Sequence, residues 1–106
     1  MPAHIKKLLK ELKQGLVRIY GEQLKAVYLY GSYARGDYVD GSDLDILVVL
    51  KDYEYYGTEL DRTSKMVSDL SLEHEITVSP VFMKERDWLK GEKPLLRNLQ
   101  AEGVAV

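Results

Sequence analysis

The sequence predicts an α/β (α+β) fold: one small domain with a short mixed β-sheet covered by helices. Apolar residues recur at helical spacing in several segments, and three short apolar runs of strand length are interleaved with them. Apolar strands need helices over their faces, which makes a layered domain the economical solution. At 106 residues the chain falls in the usual single-domain range of about 50 to 250, so residues 1–106 are read as one domain with no separate substrate domain.

Each element has its own signal. Ile5, Leu8, Leu9, Leu12, Leu16 and Ile19 recur at steps of three and four with lysines between them, which predicts a first helix ending near Gly21. Its basic amphipathic character also suits a membrane surface, but one apolar stripe on a domain this small is read as core. Leu24–Tyr30 (LKAVYLY) and Leu44–Leu50 (LDILVVL) predict two buried strands. The intervening Gly36-Asp37 and Asp40-Gly41-Ser42 are turn chemistry, so this stretch is a loop that can open with one helical turn. Helical spacing returns from Tyr56 to Leu70. Ile76–Phe82 predicts a third strand, with Pro80 favouring an edge. Lys84–Leu89 and Pro94–Glu102 predict two short helices, the second with Pro94 in its first turn and Gly103 after its end.

Composition narrows the classes of function. Hydrophobic residues at 45% and charged residues at 30% describe a globular chain. With 15 Lys and Arg against 17 Asp and Glu, a net charge of −2 gives no global field for nucleic acid, so any phosphate site must be local. The absence of cysteine excludes a disulfide framework, a thiol redox centre and a zinc ribbon. No apolar run approaches the ~20 residues of a spanning helix, and the N-terminus lacks the apolar core of a signal peptide. The expectation is a cytoplasmic protein with no membrane partner and no strong nucleic-acid binding.

The chemistry concentrates in GSYARGDYVDGSDLD, Gly31 to Asp45. Gly31 permits positive φ and close backbone approach, Ser32 offers a hydroxyl, and N–H groups at the start of a helical turn can face phosphate oxygens. Arg35 adds a charge-assisted donor. Asp43 and Asp45, two apart on a strand, project from one face with Cα atoms roughly 6.5 to 7 Å apart. Two such carboxylates repel unless a cation intervenes, and all-oxygen ligands suit Mg²⁺ on nucleotide phosphates better than zinc.

Gly31-Ser32, ten intervening residues, then Asp43-Leu44-Asp45 resembles the signature of the DNA polymerase β-like nucleotidyltransferase superfamily. The length resembles that of its minimal nucleotidyltransferase (MNT) members, among them the antitoxin partners of HEPN-domain proteins. DLSLEHEITVSPVF (Asp69 to Phe82) and PLLRNLQAEGVAV (Pro94 to Val106) look like the family's third-strand and closing-helix regions.

The resemblance implies attack by an acceptor hydroxyl on the α-phosphate of a nucleoside triphosphate, with ATP as the substrate and two Mg²⁺ ions, or Mn²⁺, as cofactors. Gly31, Ser32 and Arg35 would bind the nucleotide. Asp43, Asp45 and a third carboxylate would be the catalytic metal ligands, the third being Glu75 at the opening of the third strand, with Glu73 as its rival. His74 is read as structural or solvated, and Tyr53, Tyr55 and Tyr56 as cover for the sheet edge and helix start.

Three functions are weighed, with polymerase or tRNA-end activity ranked last because a net charge of −2 offers no basic surface. The first is adenylylation of a HEPN-domain protein partner, with the chain as antitoxin. The second is transfer to a small molecule, in a pocket completed by a partner subunit or a homo-oligomer. The third is nucleotide or partner binding without turnover.

Overall fold

The computed structural model describes every residue except Glu92, and every side chain except those of Glu92 and Leu95. The chain runs α1 (Ala3–Tyr20), a single 3₁₀ turn, β1 (Leu24–Tyr30), α2 (Ser32–Arg35), β2 (Leu44–Leu50), α3 (Tyr56–His74), β3 (Val78–Lys84), α4 (Glu85–Lys90), α5 (Pro94–Glu102) and β4 (Val104–Ala105). The sheet order is β3-β2-β1-β4, with β2 antiparallel to β1 and parallel to β3. The parallel pair requires a long crossover, which α3 supplies.

β2 is central and its apolar residues are buried on both faces, which explains why LDILVVL reads as a nearly continuous apolar run. On one face α1 and α3 lay Ile5, Leu8, Leu12, Leu16 and Leu70 against Leu29, Ile46, Val48 and Phe82. On the other, Leu96 and Leu99 of α5 cover Leu47 and Val49, flanked by Tyr28, Tyr30, Val81, Met83 and Trp88. Each fully buried Leu or Ile contributes roughly 1.5–3 kcal/mol, whereas exposed ion pairs contribute ~0–1 kcal/mol. The fold therefore rests on these two apolar layers, and charge changes at its surface should leave it standing.

Pro80 lies on β3, an edge strand, as its missing N–H requires. Two boundaries differ from the sequence reading. α3 continues past Leu70 to His74, so Glu73 and His74 are helical, and β3 begins at Val78 rather than Ile76. Ser71 is the reason. Its carbonyl accepts the N–H groups of Glu75 and Ile76, a Schellman-type closure, and its hydroxyl accepts the Val78 N–H at 3.1 Å. The closure puts Glu75 in the left-handed region (φ 53°, ψ 41°), the one non-glycine residue there among the described residues. Beyond these boundaries, β4 is an element the sequence reading did not include: Val104 and Ala105 pair with Leu29 and Tyr28, and the Val106 N–H donates to Val27 O at 2.9 Å. A strand of two exposed residues leaves no periodicity to read.

Candidate active site

Where β1 ends, Gly31 turns the chain (φ 73°, ψ −154°) into the single turn of α2. The Ala34 and Arg35 N–H groups donate to Gly31 O at 3.1 and 3.0 Å, so the Ser32 and Tyr33 N–H groups lie ahead of the first helical bond, outside the ladder. The loop that follows is held by Tyr33 stacked on Tyr38, with ring centroids 4.3 Å apart and planes within 10°. Ser42 Oγ closes its far end by accepting the Val39 N–H at 3.0 Å.

β2 brings the carboxylates to this turn. Asp45 pairs across the sheet with Tyr30 on β1 and Ser79 on β3, so these three side chains share the face that carries the α5 layer. The Asp45 carboxyl lies directly over Gly31, where a Cβ would overlap Oδ2. The sequence suggested that Gly31 leaves room for a ligand; in the structure the space it leaves is filled by Asp45. Asp43, just before β2, is exposed, and Asp45 is half-buried. Burial first, then repulsion from Asp43, raises the Asp45 carboxyl above its ordinary range, and Arg35 partly offsets this. Arg35 itself is exposed, with Nε 3.2 Å from Asp37 Oδ2 and Nη1 3.5 Å from Glu102 Oε2 on α5. It ties the glycine turn to the closing helix, and its hydrogen bond to Asp37 is the main cause of a pKa raised further above an already high value.

Gly31, Ser32, Arg35, Asp43 and Asp45 thus surround one end of β2. Glu75 stands apart from them. It is exposed at the α3 cap rather than on β3, where Ser79 holds the position beside Asp45, and the charges acting on Asp45 are Asp43 and Arg35. It lines a neighbouring groove with His4, Tyr33, Asp40, Ser42 and Thr77. Glu73 turns the other way, into a cluster with Glu11 and His74. His74 is a structural residue: its Nε2 lies 2.9 Å from Glu11 Oε2, its side chain is 8% exposed, and it joins α3 to α1. Tyr53 and Tyr56 pack edge-on to one another, and Tyr56 packs likewise on Phe82, covering the sheet edge.

Tyr30 was missed. Its place beside Asp45 was readable only from strand register, and burial, followed by the charge of Asp45, pushes its phenol pKa up. The oxygen-only donor set and the repulsion between Asp43 and Asp45 fit a hard divalent cation.

The model of the nucleotidyltransferase domain matches residues 5–104. The chain belongs to that family, a class of enzymes that transfer nucleotidyl groups. Within the class it resembles small archaeal members. It is 37% identical over 78 residues to Methanocaldococcus jannaschii MJ0141, covering 74% of this chain and 78% of the relative, and 45% identical over 79 residues to MJ0604, covering 74% and 73%. Both carry the provisional name protein adenylyltransferase.

Among solved structures, a Sulfolobus solfataricus protein described as a nucleotidyltransferase superposes with TM-score 0.67 at 25% identity, covering 96% of this chain and 80% of that one. A chain from a complex of a tri-AMPylated Shewanella oneidensis HEPN toxin with MNT antitoxin superposes with TM-score 0.55 at 19% identity, covering 96% of this chain and 67% of that one, a likeness of fold. Among the described residues no helix is long and apolar enough to cross a membrane.

Proposed function

We propose that this chain moves AMP from ATP to a hydroxyl on a partner protein, with a HEPN-domain toxin as that partner, and that it does so in the cytoplasm. The observation that carries the reading is the Asp43–Asp45 pair set against the Gly31-Ser32 turn, in a chain more than a third identical to proteins named as adenylyltransferases. The fold likeness to an antitoxin in complex with a tri-AMPylated toxin supports the choice of acceptor.

Asp43 and Asp45 would hold Mg²⁺, with Glu75 as a third acid acting from the groove rim rather than from a strand. Bound there, the metal would lower the pKa of the attacking hydroxyl and neutralise charge on the phosphates. Ser32 and the open N–H groups of the turn would orient the triphosphate, and Arg35 would exchange Asp37 and Glu102 for phosphate oxygens.

The test is incubation of the purified chain and a co-expressed HEPN-domain protein with α-labelled ATP and Mg²⁺. Label on the partner, lost in both Asp43→Asn and Asp45→Asn, is the expected result. Label that persists in both variants, or that never forms at saturating metal and nucleotide, would overturn the reading.

A further inference from the structure

At the opposite end of β2 lies a second polar site that nucleotidyl transfer does not use. From Asp45 to Asp52 the chain advances seven residues, on the order of 20 Å along a strand. There a cavity of about 520 Å³ opens between the end of α1, the segment after β2 and the first turns of α3. Its lining includes Tyr20, Tyr53, Tyr55, Thr58, Glu59 and Arg62.

Glu59 is the unusual group. Its side chain is only 8% exposed, and it is one of the two buried polar residues among the described ones. The Tyr20 hydroxyl donates to its Oε1 at 2.8 Å and Arg62 Nε to the same atom at 3.2 Å. Both bonds end on Oε1, which leaves Oε2 without a donor among the described residues. Among the described residues no fully buried side-chain nitrogen or oxygen lacks a partner, so Oε2 keeps some solvent access, and Glu59 meets solvent at this cavity. With Tyr20 and Arg62 both on Oε1, Oε2 is the acceptor that the cavity presents to a donor entering it. Tyr20, Tyr53, Tyr55 and the Glu54 carboxylate share the cavity lining, while Asp52 is already paired with Lys84 at 3.6 Å and Arg86 at 3.9 Å. In the adjoining groove, lined by Asp52, Tyr53, Glu54 and Lys84, one cation is held on such a ring: Lys84 Nζ sits 5.2 Å from the Tyr53 ring centroid and 3.6 Å from Asp52 Oδ1.

We infer that this cavity binds a guanidinium group, with Glu59 Oε2 as the acceptor and the lining tyrosines as its aromatic surroundings. A planar guanidinium stacks on aromatic rings and donates in a fork, whereas a compact, strongly hydrated ammonium would lose more water on entering. The group comes either from an arginine side chain of a bound protein or from a free guanidino compound. The inference is independent of the proposed transfer reaction.

The experiment is titration of the ¹⁵N-labelled chain with N-acetyl-arginine amide, with agmatine, and with N-acetyl-citrulline amide as the uncharged isostere. Saturable shifts at the amides of Tyr20, Tyr55, Thr58 and Glu59 are expected with the two guanidines and not with citrulline. Tighter binding of the capped arginine points to a protein source, and tighter binding of agmatine to a small molecule. Glu59→Gln should weaken the arginine probe at least fivefold. Tyr55→Ala, at a position 66% exposed and so harmless to the fold, should weaken it two- to fivefold. Citrulline binding as well as arginine, no saturable shift, or an unchanged Kd in folded Glu59→Gln and Tyr55→Ala would overturn the assignment.

Discussion

Gly31→Ala should damage the protein through two separable effects. The first is backbone strain: φ 73° with ψ −154° lies in a region open essentially to glycine alone, where a side chain costs about 1–3 kcal/mol. The second is steric. The new Cβ would overlap Asp45 Oδ2 and lie 3.2 Å from its Cγ, so the carboxylate must leave the glycine turn. Taking about 1–2 kcal/mol for that displacement, by analogy with overpacking, the total is roughly 3 kcal/mol. At ~4–8 °C per kcal/mol for a domain of about this size, Tm should fall by roughly 12–24 °C.

A double-mutant cycle separates the parts. Asp45→Ala removes the overlapping atoms and leaves the strain, so Gly31→Ala should lower Tm less in that background, with a coupling of about 1–2 kcal/mol. Gly36→Ala is the control, since its φ of 87° is also positive but no atom lies within 4 Å of the added Cβ; it should lose only about 1 kcal/mol. Thermal unfolding followed by circular dichroism measures all five proteins. Strict additivity of Gly31→Ala and Asp45→Ala would refute the claim that Asp45 occupies the space glycine leaves.

Three further predictions concern charge and the cap. Asp45 has a raised carboxyl pKa in the fold, so its contribution to stability is greatest at acid pH and is lost as pH rises through that raised value. Asp45→Asn should therefore raise the Tm of the metal-free protein at pH 7 and give no gain below about pH 4, the unfolded carboxyl range; a Tm gain independent of pH would contradict the electrostatic cause. Glu75→Gly should stabilise by about 0.5–1 kcal/mol, because glycine suits the left-handed cap, whereas Glu75→Gln should not. If Glu75 is the third acid, both variants lose labelling of the partner, and full labelling in either removes it from that role. Arg35→Gln should leave Tm close to that of wild type, since both its ion pairs are exposed, while raising the calorimetric Kd for Mg-ATP about tenfold; an unchanged Kd would place the triphosphate away from Arg35.

Local information was enough for most of the architecture. Helical and strand periods are written in neighbouring residues: Ile5 to Leu16 showed the buried stripe of α1, and LDILVVL showed a strand buried on both faces. Pro80 marked an edge because its missing N–H excludes a central strand whatever the fold. The carboxylate pair at Asp43 and Asp45 and the turn at Gly31-Ser32 were equally legible, since residue type and spacing alone define them.

What depended on distant partners was not legible. Whether the chain left α3 at Leu70 or His74 was decided by Ser71, which takes the N–H groups of Glu75, Ile76 and Val78; this kept Glu75 off the strand and gave the place beside Asp45 to Ser79. Helix propensity along that stretch is too flat to mark the boundary. Tyr30 became a neighbour of Asp45 through strand register, and β4 exists because β1 had an unpaired edge to offer. The Glu59 site needed three elements to converge, Tyr20 from α1, Tyr53 from the turn after β2, and Glu59 from α3. Thirty-nine residues separate Tyr20 from Glu59, so no local pattern records their hydrogen bond. Sequence spacing specifies which side chains an element presents to one face, while only packing specifies which of them meet and which carboxylate oxygen is left without a donor.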